Sequence, residues 1–250
     1  MCLIVLGIDA HADYPLIILA NRDEFYNRPT ESLSLWPDTD FYAGKDLQAG
    51  GTWLAVSKNG KFAAITNIRD PKNLNENVKS RGNIIVEFME GKLSTIDFLN
   101  ELKPKCHTYN GFNLICGTFQ ELYFMNSYEK EIKPLQSGIY GLSNASLDSQ
   151  WPKVEAVKSN FKGALLNKNI DNQLLISCMQ TKKQFDKTLL PDTGIGIDME
   201  KILSPIFIKS PIYGTRCTTI VSLNKKGKLN IYEFDYLKNK EVLFEDFYQI

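Results

Sequence analysis

Histidine is nearly absent from this chain: His11 and His107 are the only two among 250 residues. That scarcity argues against a histidine-based triad and against a multi-histidine metal centre, so no metal is expected. A charge excess is also missing. Lys plus Arg number 29 and Asp plus Glu number 29, which leaves no long-range attraction for phosphate backbones or anionic lipid, and nucleic acid is not expected as a partner. Paired cysteine motifs are lacking too. The five cysteines are scattered, odd in number and without a CxxC, a pattern that fits neither a disulfide framework nor a zinc site and points to a reducing compartment. Finally, no apolar run approaches the roughly 20 residues that span a bilayer. The run from Leu3 to Ile8 is too short for a secretory core, has no basic stretch before it, and ends at Asp9, His11 and Asp13. These absences predict a cytoplasmic protein without a transmembrane segment.

The composition that is present, 43% hydrophobic and 23% charged, is that of a globular chain, read here as one domain over residues 1–250 without internal repeat or low-complexity tail. Its opening is strand-rich. Two apolar strands, Cys2 to Ile8 and Pro15 to Ala20, flank a polar DAHAD turn, and Thr52 to Ser57 and Phe62 to Asn67 flank Lys58-Asn59-Gly60-Lys61, a hairpin signal. Helical spacing follows at Arg81 to Gly91, where Ile84, Ile85, Phe88 and Met89 share a face, and at Ser94 to Leu102, with Ser94 as N-cap. Strands are expected again at 112–116, 122–126 and 139–142, helices near 151–161 and 172–179, and closing strands at 215–223, 229–235 and 242–247. The polar stretch from Gln180 to Lys201 reads as a surface loop. Blocks of hairpins separated by helices predict an α+β fold, a four-layer αββα sandwich of two antiparallel sheets, rather than a parallel βαβ sheet.

Cys2 carries the main chemical argument. Were Met1 removed, thiol and α-amine would share one residue, and an amine with a pKa of about 7.7–8.0 can accept the thiol proton without help from histidine. The segment Asn21-Arg22-Asp23-Glu24 follows a strand expected to pair with the one carrying Cys2; on composition alone it also reads as a solvated turn. Gly50-Gly51 lacks the GK[ST] of a phosphate loop and suits a tight turn before Trp53.

Met1-Cys2, Asn21-Arg22-Asp23-Glu24, Gly50-Gly51-Thr52-Trp53, Thr66-Asn67 and Tyr213-Gly214-Thr215-Arg216 together resemble the NRDE family, also called the transport-and-Golgi-organisation family. The family in turn is similar to N-terminal-nucleophile hydrolases of the choloylglycine and penicillin acylase type. That resemblance implies Cys2 as nucleophile, Arg22 and Asp23 as the groups orienting it, Asn67 and Asn144 as oxyanion or amine partners, and Arg216 as a second arginine beside it. Two functions follow. One is an amidohydrolase cleaving a non-peptide C–N bond through a Cys2 thioester, with no cofactor required. The other is a carrier that holds haem or an acyl-type lipid in the same pocket without turnover.

Overall fold

A computed structural model describes residues 3–248. Its strands form two antiparallel sheets in two compact units, Met1–Asn27 with Ser137–Ile250, and Arg28–Gln136.

The first unit begins with β1 (Leu3–Ile8) and β2 (Leu16–Phe25), paired from Leu3 opposite Asn21 to Ile8 opposite Leu16. Their turn is closed by the Asp9 N–H donating to Pro15 O at 2.8 Å. With β10 (Gly138–Leu142), β11 (Tyr213–Leu223), β12 (Lys228–Asp235) and β13 (Lys240–Phe247) they make a six-stranded sheet in the order β10-β1-β2-β11-β12-β13. Alternation along the strands turns Leu3, Val5, Ile17, Leu19, Ile220 and Tyr232 to one face, where they pack with Val154, Val157 and Phe161 of α3 (Pro152–Ala164) and Leu175 and Ile176 of α4 (Asn172–Cys178). Gly141 admits α3 at close range: a Cβ there would lie 2.7 Å from Val154 Cγ1. Helix α3 starts with Pro152 in its first turn, and α4 is capped by Asp171, which accepts the Leu174 N–H at 2.7 Å.

The second unit is a seven-stranded meander, β3 (Thr30–Leu35), β4 (Phe41–Asp46), β5 (Leu54–Ser57), β6 (Lys61–Asn67), β7 (Phe112–Thr118), β8 (Glu121–Asn126) and β9 (Ile132–Pro134), paired in chain order. The Asn-Gly hairpin joins β5 to β6, with Gly60 at φ 83°. Helix α1 (Gly82–Glu90) buries Ile84, Ile85, Phe88 and Met89 as its spacing predicts, and α2 (Thr95–Leu102) is capped by Ser94, whose hydroxyl oxygen accepts the Asp97 N–H at 3.1 Å. Both helices pack on a core that includes Phe41, Ala63, Leu114 and Met125. The double glycine serves this packing: Gly50 turns the chain at φ 78°, and a Cβ on Gly51 would lie 2.5 Å from the backbone of Gly82.

Three differences from the sequence reading have physical causes. Strands β3 and β4 are missed because TESLSL buries little beyond Leu33 and FYAGKD mixes glycine and charge; neighbouring strands, not local propensity, hold them. The stretch 180–201 is not wholly loop, since α5 (Ile197–Ile202) forms with Gly196 at its N-cap. And β2 does not end at Ala20. It runs on through Asn21, Arg22, Asp23 and Glu24 because β11 pairs with it as far as Phe25 opposite Tyr213. Among the described residues no helix is long and apolar enough to cross a membrane.

Candidate active site

Strand β2 changes from apolar to polar without leaving the sheet, so its polar side chains are buried where a turn would have exposed them. Asn21, Arg22 and Asp23 are 0%, 3% and 3% exposed. Asn21 and Asp23 lie on the helix-covered face, with Leu19, and Arg22 lies on the other.

On the helix side, Asn21 donates both amide hydrogens to backbone carbonyls, Met179 O at 3.0 Å and Ile206 O at 2.9 Å, and accepts from the Thr218 hydroxyl at 2.6 Å. Asp23 Oδ1 accepts from the Thr215 hydroxyl at 2.6 Å, and Thr215 Oγ1 accepts from the Ile208 N–H at 2.9 Å. These bonds satisfy the backbone of two segments that cross over β2 and β11, and fix the strand ends beneath them.

On the opposite face, a β-bulge between Thr215 and Cys217 inserts Arg216 as an extra residue, and Cys217 stands opposite Arg22. Arg216 is 7% exposed and donates from Nη1 to Phe25 O at 3.0 Å. Burial, and then the neighbouring Arg22 guanidinium, lower the Arg216 pKa, while Asp235 and Glu24 act the other way. Burial pushes the Cys217 thiol well up, and the Glu233 carboxylate, to which the thiol is hydrogen-bonded, pushes it further. Glu233 also accepts from the Thr219 hydroxyl at 3.2 Å. Two buried arginines thus share one sheet end with Glu24, Glu233 and Asp235.

Asn144 reaches the same end by another route. Leu142, the last residue of β10, pairs with Ile4, so Ser143 and Asn144 leave β10 where β1 begins. Both are buried, and the Ser143 hydroxyl donates to Asn144 Oδ1 at 3.4 Å. Of the six residues singled out by sequence, Arg22, Asp23, Asn144 and Arg216 therefore gather at one end of the six-stranded sheet. Asn67 closes β6 of the second unit, half-buried and opposite Phe112. Cys2 lies outside the described residues, immediately before Leu3. Thr215, Thr218 and Glu233 were assigned no role from sequence. For Glu233 a signal existed, an acidic residue two positions after Ile231 on a strand that alternates toward the interior.

Among the described residues no group of three His, Cys, Asp or Glu side chains is placed to hold a metal ion. His11 Nδ1 accepts the Asp13 N–H at 3.1 Å and its Nε2 lies 3.2 Å from Asn167 O; His107 Nδ1 lies 2.7 Å from Pro104 O.

This arrangement can be set beside known proteins. The family model for Transport and Golgi organisation 2 matches residues 1–238. The chain belongs to that family. It is 31% identical to the Transport and Golgi organization protein 2 homolog of Bos taurus over 98% of this chain and 96% of that one, and 26% identical to Transport and Golgi organization protein 2 of Drosophila melanogaster over 93% and 91%. Solved structures similar to this family member are N-terminal-nucleophile hydrolases: a Caenorhabditis elegans ortholog of N-acylethanolamine-hydrolyzing acid amidase, with TM-score 0.54, 10% identity and 88% and 92% of the two chains covered, and a conjugated bile acid hydrolase from Clostridium perfringens, with TM-score 0.51, 9% identity and 98% and 92% covered. At such identities the likeness shows the fold, an α+β arrangement of two antiparallel sheets of the N-terminal-nucleophile hydrolase type.

Proposed function

We propose that this Transport and Golgi organisation 2 family member is an amidohydrolase that cleaves a non-peptide C–N bond through Cys2. The observation that carries the reading is that Arg22, Asn144 and Arg216, with Asp23 on the other face of the same strand as Arg22, share the sheet end where Leu3, the residue after Cys2, stands opposite Asn21. The likeness to a fold whose solved examples include an amidase supports it.

In this reading Met1 is removed and the α-amine of Cys2 takes the thiol proton. The thiolate attacks the amide carbon, and the tetrahedral oxyanion is stabilised by donors to which Asn144 belongs, each worth about 2.7–4 kcal/mol in comparable sites. Collapse breaks the C–N bond, and the amine leaves with the proton held by the Cys2 ammonium. Water then adds to the thioester, giving a proton to the Cys2 α-amine; collapse breaks the C–S bond, releases the acid and returns the proton to the Cys2 sulfur. Buried Arg22 and Arg216 favour the thiolate over the thiol, and Asp23 fixes the strand from which Arg22 projects. The resemblance gives Asn67 the same class of role as Asn144, and its substitution tests that separately. The step needs no cofactor. The four described cysteines are free and buried, which supports a reducing, cytoplasmic setting.

The test is a screen of N-acyl amides and acyl-amino acids with wild type and Cys2→Ser. Hydrolysis lost in Cys2→Ser, with the fold intact, is the expected result. Turnover that survives the substitution removes Cys2 from the mechanism, and saturable haem or acyl-lipid binding without any turnover puts a carrier in the enzyme's place.

A further inference from the structure

At the other end of the same sheet an apolar face turns polar. Ile17, Ser222, Asn230 and Glu245 stand side by side in register across β2, β11, β12 and β13. Ile17 belongs to the core beneath α3 and α4, whereas the next three residues of the row are polar. They do not fill the space under α4. A cavity of about 220 Å³ opens there, lined by Leu175, Ile170, Tyr14, Asn172, Ser222 and Asn230, with Asp171, Lys228 and Glu245 as its charged members. Ser222 lies six residue steps along β11 from Arg216, about 20 Å of strand, so this site is separate from the candidate active site.

The one cation of the lining is paired. Lys228 Nζ pairs with Glu245 Oε1 at 2.6 Å, and the Asp171 carboxylate is engaged in capping α4. Lys228, the one cation of the lining, is thus paired, and the Asp171 carboxylate adds a negative charge, so nothing in the lining selects a phosphate or a carboxylate. The neutral groups are arranged differently. Asn230 donates to Asn172 Oδ1 at 3.0 Å and lies 3.5 Å from Ser222 Oγ, and the Asn172 amide hydrogens, the Asn230 carbonyl, the Ser222 hydroxyl hydrogen and the Tyr14 phenol, all on residues lining the cavity, are left over from these bonds. Donors and acceptors thus alternate over a small volume, with the Tyr14 ring as an apolar wall. A drug-sized ligand would need about 300 Å³ or more.

We propose that this cavity binds a small, uncharged polyhydroxylated molecule of monosaccharide size. Hydroxyl groups that both donate and accept match the alternating amide and hydroxyl partners, and the ring faces of such a molecule match Tyr14 and Leu175. The Lys228–Glu245 pair closes the rim as a further hydrogen-bonding edge.

The experiment titrates full-length protein with glucose, mannose and myo-inositol at millimolar concentration, and separately with acetate and inorganic phosphate, following backbone and side-chain amide resonances by NMR. The expected result is saturable shifts confined to Tyr14, Asn172, Ser222 and Asn230 with at least one of the three polyols, and none there with the two anions. Tyr14→Phe, which removes one hydroxyl, and Asn230→Ala should each weaken that polyol about five- to tenfold. Because Tyr14→Phe leaves packing intact, a folding defect in Asn230→Ala does not decide the outcome. The proposal is overturned by no shift with any polyol, by shifts centred elsewhere, by equal response to the anions, or by an affinity unchanged in Tyr14→Phe.

Discussion

Thr215 donates its hydroxyl hydrogen to Asp23 at 2.6 Å while accepting the Ile208 N–H at 2.9 Å, and so joins the two strands of the candidate site to the segment that crosses them. Thr215 is 2% exposed. Thr215→Val keeps the shape but leaves both the carboxylate and the N–H short of a partner, and should cost about 2–3 kcal/mol. Urea unfolding checks this. Thr215→Ser should recover most of the loss, and equal stability of Val and wild type would show that the bond does not hold the strands.

Asn21 should act more locally. Asn21→Asp replaces the one amide NH2 that donates to both carbonyls by an oxygen that faces Met179 O and Ile206 O, so the segments around them lose their anchor. Limited proteolysis should then cut between 180 and 206 at a protease concentration that leaves wild type whole. Cleavage first in the second unit would contradict that assignment.

Much of this was legible in sequence and some was not, for identifiable reasons. The amphipathic helices α1 and α2 and the Asn-Gly hairpin announce themselves because local spacing and turn chemistry decide them. The burial of Asn21, Arg22 and Asp23 does not, because Asn21-Arg22-Asp23-Glu24 reads as a turn until pairing with β11, at least 190 residues later, is known to carry the strand through it. Gly50-Gly51-Thr52-Trp53 shows the converse. It helps to mark the family, yet its second glycine serves a backbone contact with Gly82. Arg216 was picked from its motif, while the bulge that displays it follows from register alone.

In the second unit, Arg28 Nε donates to Asp46 Oδ2 at 2.8 Å. Burial raises the Asp46 pKa, but the Arg28 hydrogen bond, the Ala49 and Gln48 N–H groups and the Arg28 charge together outweigh it and leave the carboxyl below its ordinary value. A lowered folded-state pKa contributes stability above the unfolded value of about 3.9, and the contribution is lost as pH falls through the folded value. Asp46→Asn should therefore be less stable than wild type at pH 7, with the gap closing below about pH 4. A gap that does not change with pH would show that packing, not charge, sets the difference.

The central claim is an activated Cys2, and site-mapped alkylation tests it most directly. Burial raises the pKa values of Cys106 and Cys116, brings Cys178 to about 11 and lifts Cys217 well up, so these four thiols should react slowly in the folded protein. With limiting iodoacetamide at neutral pH, mass spectrometry should find Met1 absent and the first adduct on Cys2, formed more slowly in Arg22→Gln. First labelling of Cys106, Cys116, Cys178 or Cys217, or a Cys2 that still carries Met1, would contradict the account.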